Sequence, residues 1–296
     1  MSDPRPSPAP GDAHAMVWDL LRGPWQFAAA LALAQLGCFE LLATGPLPVA
    51  SLASQCGADP DLLERLLRCA ASIGLLIQPT PRSYALTRAG RMLIPGVPGS
   101  MHGAVLATGE PAAWQALTGL ADTARTGEPA FTAQQEYVFH GYLAAHPASI
   151  PAFRDFEASR LAGIAGEIAR LDFTGSTVVA DIGGVDGTIL AAVLAAHPDL
   201  HGIFFNRAVG RARDHLSGAA LTGRAELVAG YYLDGPLPLA STYLLAGVLN
   251  GHDDAGARVN LGNIRAAATS GPRLILAGIL LPGQPTAHLG TTWTCR

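Results

Sequence analysis

The sequence predicts an α/β protein, in which a mostly helical N-terminal half precedes a doubly wound parallel sheet. Residues 14–170 are dominated by helically spaced apolar residues around one short hairpin. From residue 176, apolar runs of strand length alternate with helix-forming stretches, and the first run ends in the glycine-rich turn DIGGVDG. The predicted domains are a disordered tail at 1–13, a winged-helix-like dimerisation domain at 14–100, a helical linker or substrate lid at 101–170, and a Rossmann-like domain at 171–296.

Composition narrows the class of protein. The chain has 296 residues, of which 49% are hydrophobic and 14% charged, so it can bury large cores. The net charge is -4, every basic residue is Arg, and no basic stripe favours a nucleic-acid partner. We find neither a signal peptide nor an uninterrupted apolar span, which predicts a cytoplasmic protein without a membrane partner. The cysteines lack metal-site spacing, which predicts free thiols and no metal: Cys38, Cys56, Cys69 and Cys295.

The N-terminal half has clear helix boundaries. WQFAAALALAQLGCFELLA has apolar residues at helical spacing and ends before the turn TGPLP. The next helix, VASLASQCG, closes at Gly57, and Asp59 with Pro60 then caps and begins a third helix. LLIQPTPRSYALT predicts two short strands around a proline-rich turn. Helix, turn, helix and hairpin together outline a winged helix.

A winged helix can bind DNA or form a dimer. The candidate recognition helix carries Arg65 and Arg68, but Asp61 and Glu64 oppose them. Phosphate contacts need several unopposed cations. We therefore favour a dimerisation module whose apolar first helix is buried against a partner chain.

Residues 101–170 predict further helices that carry many of the aromatic side chains. Aromatic residues on helices most often belong to a core, but their position ahead of a nucleotide-type domain also suits a lid over a substrate. His102 and His140 in this segment are additional candidate bases. The candidate substrate-binding residues are His102, Trp114, Phe139, His140, Phe153 and Tyr232.

The C-terminal half predicts five strands in a parallel, doubly wound sheet. In such sheets a ligand lies beyond the carboxyl ends of the strands, beside the first strand. The predicted strands are TVVADIGG, HGIFFN, RAELVAG, STYLLAGVL and PRLILAGILLP.

With the two halves in this order, the chain resembles the small-molecule O-methyltransferases that use S-adenosylmethionine (SAM), whose bacterial members often tailor polyketides. The resemblance covers residues 15–282. It is carried by GADPDLLERLLRCAASIGLL, YALTRAGRML, the GSMHG turn, TGEPAF and VVADIGGVDG. It implies a homodimer through the winged helix and SAM or S-adenosylhomocysteine as the cofactor, with no metal.

The glycine loop implied to hold SAM is mostly intact. Asp181 stands where the family has an acid at the strand end, and a Cβ in the loop would obstruct the ligand. Val185 replaces a glycine, and Asp186 adds a negative charge that would weaken SAM binding if it faced inward. The loop glycines are Gly183, Gly184 and Gly187.

Other cofactor positions implied by the resemblance have changed. Asn206 replaces the acid at the end of strand two that binds the ribose hydroxyls, and charged hydrogen bonds are the stronger ones. Gly230–Tyr231 replaces a Gly-Asp pair near the adenine, where Tyr231 can stack on a base. Ala246 stands where plant members carry a Lys.

The implied catalytic stretch departs further. The family has V-L-H-D-W-D-D, with the His as general base, but residues 248–254 are VLNGHDD. Asn250 takes the His position, and an amide cannot accept a proton near neutral pH. Gly278 replaces the Glu that partners the base. His252 is a candidate replacement base, although it would face a different direction, and a surface His beside two acids is the alternative.

The resemblance also implies a helix and two antiparallel strands after strand five. Only GQPTAHLGTTWTCR follows Pro282, so we expect the domain to lack these last strands. Strand five would then be an exposed edge, covered by the tail with Trp293 or by a partner chain.

The expected function is an enzyme on this scaffold that no longer methylates. It would catalyse a cyclisation, a pericyclic closure or a related tailoring step on a polyketide-like molecule, with Asn250, Tyr231, Tyr232 and His252 supplying hydrogen bonds or local charge. Two alternatives stay open. One is a working SAM-dependent O-methyltransferase that relies on proximity. The other is a non-catalytic subunit that partners an active homologue.

Overall fold

The computed structural model describes residues 13–97, 99–135, 139–218, 221–268 and 271–278. The predicted N-terminal tail, apart from residue 13, and the C-terminal tail with Trp293 and Cys295 lie outside these ranges. The helices are α1 (Ala13–Gln35), α2 (Cys38–Leu41), α3 (Val49–Cys56), α4 (Pro60–Ser72), α5 (Arg88–Arg91), α6 (His102–Thr108), α7 (Pro111–Ala116), α8 (Leu120–Thr126), α9 (Ala130–Gln135), α10 (Phe139–Ala145), α11 (Ile150–Ala169), α12 (Thr188–Ala196), α13 (Arg213–Leu216) and α14 (Asp254–Ala267). The strands are β1 (Leu47–Pro48), β2 (Leu76–Thr80), β3 (Ser83–Leu86), β4 (Val178–Ile182), β5 (His201–Asn206), β6 (Ala225–Ala229), β7 (Thr242–Ala246) and β8 (Arg273–Ala277).

The chain divides into two compact units. One contains residues 1–119 and 131–156, and the other contains residues 120–130 and 157–296. The segment predicted as a linker or lid is thus distributed between both units.

The first unit has the predicted winged-helix outline. The Asp59 carboxylate accepts hydrogen bonds from the backbone N–H groups of Asp61 and Leu62, so it caps α4 as the sequence indicates. Gly57 ends α3 in the left-handed conformation. The wing is an antiparallel sheet of order β1-β3-β2. The core of the first unit includes Leu33, Phe39, Leu52, Leu67 and Tyr84.

The second unit contains a parallel sheet of order β6-β5-β4-β7-β8. This order is the doubly wound one, with β4 in the middle and α12 following it. Two apolar clusters pack on the sheet, one including Phe204 and Leu244 and the other including Phe205 and Tyr243. The predicted α/β fold class is confirmed, and each of the five predicted strands contains an observed one. The end of the fifth predicted strand, residues 279–282, lies outside the described ranges.

β8 is at one side of the sheet within the described residues, and Leu274 and Leu276 on it are exposed. What lies beside this strand falls outside the described ranges.

In the described part of the chain, no one helix has the length and apolar character needed to cross a membrane. By length and composition alone, one bent pair, Ala13–Gln35 with Cys38–Thr44, passes the same test.

Candidate functional site

The carboxyl ends of β4, β5, β6 and β7 gather most of the predicted site residues on one edge of the sheet. Parallel strands end at the same edge, and β4 in the centre is where the strand order reverses. The glycine loop leaves β4, Asn206 ends β5, Tyr231 follows β6, and Asn250 follows β7. The sequence therefore assembles these positions through topology.

The glycine loop needs its glycines for conformation and for space. Gly183 and Gly187 have φ values of 72° and 81°, which L-residues with a side chain rarely adopt. The Gly183 N–H donates to the carbonyl oxygen of Phe205 at 2.8 Å, which ties the loop to β5. A Cβ on Gly184 would overlap the carboxylate of Asp181. The loop therefore lies directly on the acid at the end of β4.

Asp181 is a buried acid with an unused acceptor. The residue is 2% exposed, and its Oδ1 has no hydrogen-bond partner among the described residues. Burial raises the pKa of this carboxyl from 3.8 to about 7, and the nearby Asp186 contributes to the same shift. A cationic or N–H-donating ligand group at the loop would satisfy this oxygen.

Asp186 has a local role that the sequence left open. Its Oδ1 accepts a hydrogen bond from the backbone N–H of Thr188 at 3.0 Å, in the first turn of α12. Its Oδ2 is 3.9 Å from Nε2 of His215. The carboxylate therefore supports the start of the helix that follows the loop.

The Asn206 amide is engaged with the backbone of the loops. Its Nδ2 donates to the carbonyl oxygen of Gly184 at 2.8 Å, and its Oδ1 accepts from the N–H of Ala208 at 2.8 Å. The amide is needed for this pairing because it both donates and accepts. Asn206 thus holds the glycine loop against the end of β5.

Tyr231 belongs to a group of contacting side chains with Arg207 and Tyr232. The guanidinium carbon of Arg207 lies 3.5 Å from the centroid of the Tyr231 ring, a cation–π contact. The Tyr232 ring is tilted by 47° against that of Tyr231, with the two ring centroids 4.8 Å apart. The Tyr232 ring also covers the loop, since its Cε1 is 2.9 Å from where a Cβ on Gly183 would stand.

His252 joins this group through Tyr232. Its Nε2 and the Tyr232 hydroxyl oxygen are 2.8 Å apart and share a hydrogen bond. Burial raises the pKa of Tyr232, and Tyr231 raises it further while Arg207 opposes the shift. The Tyr232 phenol therefore stays protonated near neutral pH. The hydroxyl donates to His252 in the tautomer whose Nε2 carries no proton.

Asn250 and Gly278 are adjacent. The Asn250 side-chain oxygen is 2.7 Å from the place where a Cβ on residue 278 would stand. The amide therefore occupies space that a side chain at 278 would need. Asn250 lies in a short 3₁₀ turn, Leu249–Gly251, after β7.

The predicted lid residues lie mostly in the first unit. His102 is buried and its Nδ1 is hydrogen-bonded to the Leu93 carbonyl at 3.1 Å. The Trp114 ring stacks on Phe27, with centroids 5.1 Å apart. Phe153 is half-buried on α11, whereas the Phe139 and His140 side chains lie outside the description. Their substrate role stays a prediction.

Sequence reasoning missed two arginines at this edge. Arg207 lies on Tyr231, and Arg160, on α11, lies against Gly247 at the end of β7. No motif marks either residue, because each contact joins elements that are distant in sequence. Within the described residues there is no group of three or more His, Cys, Asp and Glu side chains that could hold a metal ion.

Comparison with known proteins identifies the family. Residues 156–294 match the O-methyltransferase domain, and residues 18–96 match the O-methyltransferase dimerisation domain. The sequence is 32% identical over 270 residues to the O-methyltransferase SfmM3 of Streptomyces lavendulae, covering 89% of this chain and 80% of that protein. The chain belongs to the O-methyltransferase family.

Solved structures of family members have the same fold. The mitomycin 7-O-methyltransferase MmcR is similar with a TM-score of 0.86 and 30% identity, over 95% of this chain and 84% of that one. The methyltransferase NcsB1 of neocarzinostatin biosynthesis was solved with SAM and 2-hydroxy-5-methyl naphthoic acid. It is similar with a TM-score of 0.70 and 30% identity, over 84% of this chain and 78% of that one.

All three of these relatives are O-methyltransferases by name, and NcsB1 belongs to neocarzinostatin biosynthesis. They therefore favour the alternative interpretation, a SAM-dependent O-methyltransferase, over an enzyme of this family that has lost methyl transfer. The cyclase expectation receives no support from them.

The buried Asp181 predicts a pH-dependent gain in stability from Asp181→Asn. The wild-type carboxyl has a pKa of about 7 when folded and 3.8 as its ordinary value, so ionisation costs folding stability as the pH rises between them. At roughly 1.4 kcal/mol per pKa unit, the cost reaches at most about 4 kcal/mol above pH 7. The variant should be more stable than the wild type at pH 8, and the difference should vanish near pH 4.

Urea unfolding of both proteins across that pH range measures the difference. The exposed Asp199→Asn is the matched control and should show no such trend. An Asp181→Asn variant that is less stable than the wild type at pH 8 would contradict the assignment.

Proposed function

We propose that this chain is a SAM-dependent methyltransferase that modifies a small aromatic molecule in natural-product biosynthesis. The observation that carries the proposal is the glycine loop lying on a buried carboxylate with an unused oxygen. When bound, SAM supplies an electrophilic methyl group. The chain's own residues bind and orient SAM and the acceptor molecule, and they remove the acceptor's proton.

The residues at the loop suit the amino-acid end of SAM. SAM carries a sulfonium and an ammonium group against one carboxylate, so it is a net cation. Asp181 and Asp186 make the loop acidic, and the free Oδ1 of Asp181 can accept a hydrogen bond from an ammonium group. Opposite charge also lowers the cost of keeping a buried carboxylate ionised.

The groups available to the nucleoside end of SAM are the Asn206 amide and the Tyr231 ring, which carry no charge. Asn206 Oδ1 accepts one backbone hydrogen bond and retains a second lone pair for a ribose hydroxyl. The Tyr231 ring, backed by Arg207, offers a flat surface for the adenine. Both contacts lack the charge of the family's acids, so we expect weaker binding than a carboxylate pair would give.

We assign the removal of the acceptor's proton to the Tyr232–His252 pair. His252 takes the proton of the Tyr232 hydroxyl while that oxygen takes the proton of the substrate hydroxyl. Tyr231 and Arg207 act electrostatically on Tyr232, and Asp253 follows His252 in the sequence and caps α14. Asn250 would position the substrate by hydrogen bonding, since its amide cannot accept a proton.

One relative supports the proposed substrate class. NcsB1 was solved with a hydroxylated naphthoic acid, and a small aromatic acceptor of this kind is what we propose here. Tyr232 is the proposed contact in the second unit, and the substrate roles of His102, Trp114, Phe139, His140 and Phe153 stay predictions of the sequence.

A second copy of the chain is the proposed partner. The match to the dimerisation domain begins within α1, and a group of exposed apolar side chains on one helix is typical of an interface. Leu20 and Trp25 are 76% and 77% exposed. The other exposed apolar residues of α1 are Met16, Val17, Trp18 and Leu21.

Titration calorimetry with SAM and S-adenosylhomocysteine tests the proposed cofactor. We expect micromolar dissociation constants and release of a fraction of a proton at pH 6.5, because the ligand's cationic groups favour ionised Asp181. Asp181→Asn should weaken binding at least tenfold without lowering stability, and Asp199→Asn should leave it unchanged. Absence of binding at millimolar ligand would reject SAM-dependent methylation.

His252→Gln tests the proton acceptor. With 1-naphthol as the acceptor, methylation at pH 7 should fall about 100-fold or more, since general base catalysis typically contributes that much. The loss should shrink as the pH rises and the naphthol ionises by itself. Rates are measured by chromatography of the methylated product. His201→Gln, on the exposed first residue of β5, is the control, and an equal loss there would refute the assignment.

Trp25→Glu tests the dimer. A charge in the apolar face of α1 should convert the dimer into a monomer, because the charge would be buried without a partner. Light scattering coupled to size exclusion measures the mass. Leu239→Glu places the same charge at a 69% exposed leucine of the second unit and should leave a dimer. A wild-type monomer at micromolar concentration would contradict the proposal.

A further inference from the structure

Arg160 covers the backbone at the carboxyl end of β7. Its Nη1 and Nη2 atoms are each 2.8 Å from the place where a Cβ on Gly247 would stand. Gly247 also has a φ of 72°, a conformation that favours glycine. The absence of a side chain at 247 is therefore what makes room for the guanidinium.

This position belongs to the same edge as the glycine loop. The Gly247 N–H donates to the Ala277 carbonyl at 2.7 Å, so the backbone under the guanidinium is fixed by the sheet. The next residue, Val248, has its Cγ2 3.1 Å from the place of a Cβ on Gly183. Arg160 thus lies at the end of the strand beside β4, the strand that carries Asp181.

Arg160 has a partner but keeps donors to spare. Its Nη2 is 2.6 Å from the Glu157 carboxylate, one helical turn earlier. A guanidinium has five N–H donors, and this single contact engages one edge of it. Glu157 therefore orients the group rather than saturating it.

A second pair, at the C-terminal end of α11, shows that the spacing alone does not explain this placement. Arg170 and Glu167 have the same spacing, with 2.5 Å between their charged atoms. The Arg170 side chain is 72% exposed, whereas that of Arg160 is 23% exposed. The same ion pair is thus solvated at one place and packed on a strand end at the other.

We propose that Arg160 binds a carboxylate group of a ligand at this edge of the sheet. Arg donors match the two oxygens of a carboxylate in a bidentate geometry. With an acid at the end of β4 and a cation at the end of β7, the edge complements a zwitterionic amino-acid group. The proposal rests on the proposed function for its ligands: the carboxylate belongs either to SAM or to an aromatic acid acceptor.

Calorimetry with two pairs of ligands tests the assignment without requiring turnover. S-Adenosylhomocysteine is compared with 5′-methylthioadenosine, which lacks the amino-acid group, and 1-naphthoate is compared with 1-naphthol. The proteins are the full-length wild type, Arg160→Gln, Arg160→Lys and the control Arg170→Gln. Thermal melting first establishes that each variant is folded.

We expect Arg160→Gln to weaken the binding of one carboxylate ligand at least tenfold. Binding of its carboxylate-free counterpart should weaken less than about threefold. The affected pair identifies the source of the carboxylate. Arg160→Lys should be intermediate, because it keeps the charge but not the bidentate geometry. Arg170→Gln should behave as the wild type.

Equal weakening of both members of a pair would show a structural role and overturn the proposal, as would unchanged binding of all ligands by Arg160→Gln. A wild type that binds neither adenosyl compound refutes the proposed function instead. In that case a loss of naphthoate binding by Arg160→Gln still supports the carboxylate site.

Discussion

A carboxylate buried at the end of the central strand constrains the rest of the site. Asp181 has the glycine loop directly over it, so Gly184 cannot carry a side chain. The loop is held to β5 by the Gly183 N–H and by the Asn206 amide. These contacts leave one Asp181 oxygen without a partner in the described residues, at the place where a ligand of this fold binds. Fold stability and ligand binding therefore oppose each other at this residue.

Most of the architecture could be predicted because its signals are local. The Asp59 cap, the Pro60 start of α4 and the Gly57 end of α3 each depend on neighbouring residues. The strands of the second unit are continuous apolar runs, as expected for a sheet buried on both faces. Their alternation with helices predicts a parallel sheet, in which the carboxyl ends of β4 to β7 lie at the same edge.

The chemistry of the site depends on contacts that no local pattern shows. From the sequence, Asn206 is expected to bind the ribose more weakly than an acid would. In the structure its amide is hydrogen-bonded to the backbone of Gly184 and Ala208. His252 seemed to face the wrong way for a base, but Tyr232, twenty residues earlier, reaches it. These pairings depend on side-chain direction across neighbouring strands, which spacing along the chain does not determine.

The contact between Asn250 and residue 278 couples these two positions of the site. The amide oxygen lies 2.7 Å from the place of a Cβ at 278, so a larger residue there would displace it. Because this oxygen is the end of a flexible side chain, a rotation of the amide accommodates the new residue. A substitution at 278 therefore re-orients the Asn250 amide, and the effects of substitutions at 250 and 278 are not additive.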